Sequence, residues 1–306
     1  MTPGGNNYVS NVWRENIFDG TVVFCTGGGG DICSAQVKAL VYLGANACII
    51  GRNIEKTEKV ARDIAMVRPG AKVLGYGSVD VRNPRLLREA VQKCASELGG
   101  IDFVIAGAAG NFLAPITQLS ENAFKTVVEI DLVGAFNTLK ATLPFLLQSA
   151  SRAKSEKSAR SGGRIIFLSA ATYYTGVPLQ AHALAAKAGI DVLAANTAIE
   201  LGPRGVTANV IAPGPIANTE GMRRLTKPGN EKSVARIPLG RLGNVREIAD
   251  ATVYLFSDAG NYVNGEILVV DGGAWRTHGG DSSYDFEYPN FLLSDDNFGR
   301  LRTTKM

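Results

Sequence analysis

The stretch TVVFCTGGGGDICSAQVKALVYLGANACIIGRN (21–53) decides the fold. Its first residues, Thr21–Cys25, make an apolar run too short for a helix and without polar alternation, as in a strand buried on both faces. Ile32–Leu43 then repeats small and apolar residues along one helical face, and Ala47–Ile50 is a second apolar strand ahead of a charged helix, Ile54–Met66. Between the first strand and the first helix stand Thr26, Gly27, Gly28, Gly29, Gly30, Asp31 and Ile32. Glycines in such a turn let the backbone approach a pyrophosphate, and the helix N-terminus adds unpaired N–H groups and positive potential. Gly27 to Gly30 with Asp31 and Ile32 are therefore the candidate phosphate-binding turn of a nucleotide site. The second strand ends Ile50-Gly51-Arg52-Asn53, with no acid before Glu55. An acid there accepts from a ribose 2′-hydroxyl, whereas an arginine accommodates a 2′-phosphate, so Arg52 with Asn53 points to NADPH rather than NADH.

Outward from this unit the alternation continues. Strands are expected at Lys72–Tyr76, Ile101–Ala106, Ile165–Leu168, Val206–Ile211 and Ile267–Val270. Helices are expected near Arg85–Leu98, from Asn122 to about Leu147 with Pro144 near its end, at Leu184–Leu201 and at Val245–Phe256. Apolar strands alternating with helices specify an α/β fold, a Rossmann-type doubly wound parallel sheet in a single domain. The domain is set at 19–275, after an N-terminal extension at 1–18 and before an acidic tail at 276–306 that loses periodicity. The serine-rich basic segment 149–163 reads as a solvated loop inserted before a strand.

The chain has 306 residues and a formal charge of +4, too balanced for a nucleic-acid partner but suited to an anionic small molecule. Cys25, Cys33, Cys48 and Cys94 form no C-x-x-C pair and read as free buried thiols. With only two histidines, His182 and His278, both read as ordinary loop residues, no histidine-rich metal site is expected. No apolar run reaches the roughly 18 residues that span a bilayer, and the polar start MTPGGNNY is no secretory signal. A soluble protein without membrane insertion is expected.

The second half carries GRIIFLS (163–169) and then QAHALAAKAGIDVLAANTAIELGPRGVTANVIAPGPI (180–216). This order of strand, helix with lysine, strand and Pro-Gly resembles the short-chain dehydrogenases. Four residues before Lys187, where that family carries its tyrosine, stands Ala183; thirteen earlier, where it carries a serine, stands Ala170. The strings GAAGNFLAP (107–115), NAFKTVVEIDLVGAFN (122–137), AHALAAKAGID (181–191), APGPIANTEGMRRL (212–225), PLGRLGN (238–244) and VVDGGAW (269–275) resemble the peroxisomal 2,4-dienoyl-CoA reductases, which also lack that tyrosine. The glycine turn departs from the wider family, because Asp31 and Cys33 occupy its last two glycine positions.

The resemblance implies hydride transfer from NADPH to a 2,4-dienoyl-CoA, a dienolate on the thioester oxygen, and protonation at the α carbon to a 3-enoyl-CoA. It implies Asp131 and Lys187 as catalytic residues acting through an activated water, with Lys187 also holding the nicotinamide ribose. Asp80 in Val79-Asp80-Val81 resembles the adenine contact, and Pro213, Gly214, Pro215, Ile216 and Thr219 the nicotinamide side. Arg82, Phe112, Ser120, Asn122 and Arg224 resemble substrate contacts, the arginines for CoA phosphates and Phe112 for the acyl chain. Tyr173 and Tyr174 are rival proton donors, placed as in the mitochondrial reductases. A homodimer or homotetramer is implied. The ending Thr304-Lys305-Met306 is close to a peroxisomal address, with cytoplasmic residence the alternative. Two other readings stay open: a hydroxy/keto reductase of the same fold, and a catalytically silent NADPH-binding protein.

Overall fold

In the computed structural model the described residues are 8–10, 12–155, 162–171, 176–225, 234 and 237–278. The strands are β1 (Val22–Thr26), β2 (Asn46–Ile50), β3 (Val73–Tyr76), β4 (Phe103–Ala106), β5 (Arg164–Leu168), β6 (Thr207–Pro213) and β7 (Ile267–Val270). They form one parallel sheet in the order β3-β2-β1-β4-β5-β6-β7. The order reverses between β1 and β4, and in such sheets the crevice beyond the strand ends at that reversal binds ligands.

Helices cover both faces: α1 (Asp31–Tyr42), α2 (Ile54–Ala65), α3 (Pro84–Leu98), α4 (Glu121–Val128), α5 (Gly134–Ser155), α6 (Ala181–Leu201), α7 (Glu220–Leu225), α8 (Val245–Phe256) and α9 (Ala274–His278). Alternate strand residues feed two cores, because side chains in a strand alternate across the sheet. Val23, Cys25, Ile49 and Ile105 pack with α1 and α8, whereas Phe24, Cys48, Ile50 and Val104 pack with α3, α5 and α6. All four cysteines are buried and unbridged.

Two expectations are corrected. The N-terminal extension is part of the packing: Val9 and Phe18 are buried in the first core, and Ser10 and Trp13 both donate to Asp250 of α8. The long helix does not stop near Pro144 but runs on to Ser155, so the first half of the supposed loop 149–163 is helical. There Ser149 is buried and donates to Asp102 Oδ1 at 2.6 Å, and Arg152 pairs with the same carboxylate, which fastens the helix end to the base of β4. The continuous helical run Glu121–Lys154 is long and apolar enough by composition to cross a bilayer. It lies here against the sheet, between α3 and α6. Residues 156–161, the tail beyond 278 with Thr304-Lys305-Met306, and Tyr173 and Tyr174 lie outside the described residues.

Candidate active site

At the β1 turn the glycines answer specific spatial demands. Gly27 has φ +68°, and a Cβ there would stand 2.8 Å from the backbone of Gly107 and Ala108. A Cβ on Gly28 would stand 2.5 Å from Ile49 Cβ. On Gly29 it would meet nothing closer than the flexible Lys56 side chain at 3.6 Å, so the turn is open on that side. Gly30 is the N-cap of α1 and brings no side chain to the first-turn amides. A cradle with its side chains removed and unclaimed helix amides fits a dinucleotide pyrophosphate.

Asp31 is redirected. Its Oδ2 accepts from Glu220 N at 2.7 Å, capping α7, and lies 4.0 Å from Arg223. A helix N-terminus offers unpaired N–H groups, which explains an acid where a phosphate would repel it. Asn53 likewise serves as a cap, accepting from Lys56 N at 2.8 Å at the start of α2. Arg52 stands exposed at the end of β2, where a 2′-phosphate would lie. Asp80 is clasped by Arg82, whose Nη2 donates at 2.6 Å, and this guanidinium holds the carboxyl below its usual range.

On the other side of the crevice, Pro213 ends β6 and Gly214 N donates to Val270 O at 3.0 Å. A Cβ on Gly214 would come within 2.4 Å of Asp271 Cβ. Pro215 accepts from Gly243 N at 3.0 Å, and Ile216 forms a bridge with Gly243. Thr219 Oγ1 donates to Ile216 O at 2.9 Å and accepts from Met222 N at 3.2 Å, so this wall is held by its own backbone.

The expected catalytic pair is deeply placed. Asp131 lies in a π-helical turn, Glu129–Val133, between α4 and α5, and is 1% exposed. Its Oδ1 accepts from Gly110 N at 2.7 Å. Its Oδ2 stands 3.2 Å from Lys187 Nζ. The lysine, on α6, also donates to Leu168 O at 2.9 Å, so it is aimed by the end of β5. Burial pushes the Asp131 carboxyl above the usual carboxylate range, opposed by Lys187, the Gly110 amide and His182. A buried acid tuned by one ammonium at a strand-end crevice is an arrangement suited to proton transfer. Ala183 is buried, and the nearby Ser169 hydroxyl is directed to Lys187 O at 3.4 Å.

Sequence reasoning missed His182. It is no loop residue but sits in the first turn of α6, fully buried, its ring stacked on Phe112 with centroids 4.2 Å apart. Its place beside Ala183 was the available signal. Among the expected substrate residues, Phe112 reaches the Asp131 end through this stack. Ser120 caps α4, accepting from Ala123 N at 3.2 Å, and Asn122 lies exposed in the first turn of that helix. Arg82 is on Asp80, and Arg224 pairs with Glu220, which Lys56 also approaches at 3.4 Å. Among the described residues no cluster of three or more His, Cys, Asp or Glu could hold a metal ion.

The family described as Enoyl-(Acyl carrier protein) reductase matches residues 30–274. The chain is 50% identical over 277 residues to the peroxisomal 2,4-dienoyl-CoA reductase, (3E)-enoyl-CoA-producing, of Saccharomyces cerevisiae, covering 90% of this chain and 91% of that one. The similarly named protein of Danio rerio is 40% identical, with coverage of 90% and 88%. Among solved structures, levodione reductase aligns with a TM-score of 0.76 at 28% identity, covering 85% of this chain and 99% of its own. The chain belongs to the short-chain dehydrogenase/reductase family, in the branch of the peroxisomal 2,4-dienoyl-CoA reductases.

Proposed function

We propose that this protein reduces 2,4-dienoyl-CoA thioesters to 3-enoyl-CoA with NADPH, in the oxidation of unsaturated fatty acids. The observation that carries the reading is the buried Asp131–Lys187 pair beside a helix whose tyrosine position is Ala183. A ketone reductase must protonate a developing alkoxide and needs a donor at the tyrosine and serine positions. A dienoyl thioester spreads its charge into a dienolate and needs a proton at carbon instead, which a tuned carboxyl and ammonium can deliver.

Gly27 to Gly30 hold the pyrophosphate, Arg52 the 2′-phosphate, and Pro213 to Ile216 with Thr219 form the nicotinamide wall. NADPH supplies the hydride when bound. Lys187 fixes the ribose and the charge on Asp131, and Phe112 walls the acyl chain. Arg82, Ser120, Asn122 and Arg224 form the CoA side; there both arginines already have carboxylate partners, and a CoA phosphate competes with Asp80 and Glu220 for them.

NADPH oxidation followed with a 2,4-dienoyl-CoA, a 3-ketoacyl-CoA and no acyl substrate separates this reading from the two alternatives. Turnover of the ketoacyl thioester alone supports a keto reductase, and turnover of neither a silent NADPH-binding protein.

Exposed apolar side chains on α4, α5, α6 and the π turn, Phe124, Val133, Phe136, Val192 and Ile199, support assembly with further copies as a dimer or tetramer. Sedimentation of Val192→Glu, expected to yield smaller species, tests this. Relatives named as peroxisomal support residence in that organelle. A reporter carrying residues 295–306 tests whether the tail suffices.

A further inference from the structure

Gly110, Asn111 and Phe112 follow one another after β4, and each holds a different part of the catalytic end. Gly110 N donates to Asp131, Asn111 Nδ2 donates to Gln180 Oε1 at 2.7 Å, and the Phe112 ring stacks on His182. Within this knot, Asn111 Oδ1, Asp131 Oδ2 and both ring nitrogens of His182 are buried without a well-aligned hydrogen bond among the described residues. Lys187 Nζ stands 3.2 Å from Asp131 Oδ2 as an ion pair. Buried polar atoms of native proteins are almost always matched by a protein group or an ordered water, because leaving them unpaired is destabilising.

We propose that His182 is a positioning residue for Asp131, acting through one water molecule that His182, Asn111 and Asp131 hold together. The proposal rests on the reductase reading and adds a residue to it. The chemistry of the four atoms selects the ligand. A neutral imidazole brings one donor and one acceptor, and the two side-chain oxygens bring acceptors. A water donates to the two oxygens and accepts from the imidazole N–H, about the three bonds usual for a buried water, and so serves three of the four atoms. Burial disfavours the imidazolium, with the Phe112 backbone and the Asp131 charge opposing it. Facing Asp131 are the Lys187 ammonium and His182, both from α6, and the Gly110 amide from the loop after β4. Facing His182 are Asp131 and the Phe112 backbone. Bonds carried through the water favour the carboxylate, so their loss moves the Asp131 titration upward.

His182→Phe keeps an aromatic ring for the stack and removes both nitrogens, whereas His182→Gln restores a donor and an acceptor. His182→Phe is expected to lower kcat on the order of tenfold, less than loss of the acid itself, with KM and NADPH affinity nearly unchanged. It should also raise the pH midpoint of kcat, and His182→Gln should recover part of both effects. A pH midpoint in His182→Phe equal to the parent's overturns the proposal, since a packing role would lower kcat without moving it. A second measurement needs no substrate. The chain has two histidines, so imidazole resonances can be assigned and titrated directly. His182 should titrate below the ordinary histidine value, and lower still in Asp131→Asn, where the carboxylate no longer favours its charged form. A titration unmoved by Asp131→Asn overturns the proposal. A parent enzyme that fails to oxidise NADPH with a dienoyl-CoA sinks the reductase reading instead, and the titration still decides whether His182 and Asp131 are coupled.

Discussion

In the proposed reading the β1 end works through the backbone amides that open α1, approachable because the turn carries no side chains, whereas the Asp131 end works through buried side chains gathered from three segments. The first end is made by one local run, Gly27 to Gly30, whose spatial limits are set by Ile49, Gly107 and Ala108. The second needs the loop at 110–112, the π turn at 129–133 and the first turns of α6 to converge. A mutation at the first end should therefore be felt as cofactor affinity or local fit. At the second it should be felt as turnover and as sensitivity to pH.

The contrast breaks most sharply at Asp131. Asp131→Ala should keep the fold and NADPH binding yet lose on the order of 10²–10⁴ in turnover. Near-parental turnover there, with collapse in Tyr174→Phe, would move the acid to the tyrosine. Lys187→Ala should lose turnover and some cofactor affinity, and its stability should depend on pH. The Asp131 carboxyl titrates above its unfolded value, so its favourable contribution is greatest in acid and declines as pH rises through the folded value. Lys187 offsets that decline. The stability gap to the parent should thus widen as pH rises above the ordinary carboxylate range, toward about 3 kcal/mol, in urea unfolding.

Two alanines one residue apart sharpen the other end. Gly28→Ala forces a methyl against Ile49 and should cost about 1–3 kcal/mol of stability. Gly29→Ala has room in the fold, so its melting temperature should hold while NADPH binding weakens. Arg52→Ala should weaken NADPH by about 1–3 kcal/mol and leave NADH nearly unaffected by calorimetry; equal losses would remove the 2′-phosphate assignment. The smallest effect belongs to Asp31→Ala, where loss of the α7 cap should cost about 0.5–1 kcal/mol of local stability, read as faster amide exchange in α7.

What the sequence disclosed follows the same division. Strand runs such as Thr21–Cys25 and the helix Val245–Phe256 fall close to their observed places, because burial and period are written locally. The glycine turn was legible for the same reason. Asp31 was not, since its partner, Glu220 N, lies 189 residues away. His182 looked like a loop residue because neither Phe112 nor Asp131 is near it in sequence. The helix end at Ser155 was hidden by a polar composition that only the contact with Asp102 explains.

A π turn accommodates one residue more than the α turn it interrupts, and such insertions occur frequently at functional sites. Residues Glu129–Val133 therefore leave α4 and α5 out of phase along one continuous rod. Removing a single residue there would let the two halves merge into a regular α-helix, a better-formed element by any local standard. It would also turn Asp131 away from Gly110 and Lys187. In the proposed reading the irregularity is a length of chain whose retention favours chemistry over regularity, and a search for more stable variants by deletion would tend to erase the activity at this point.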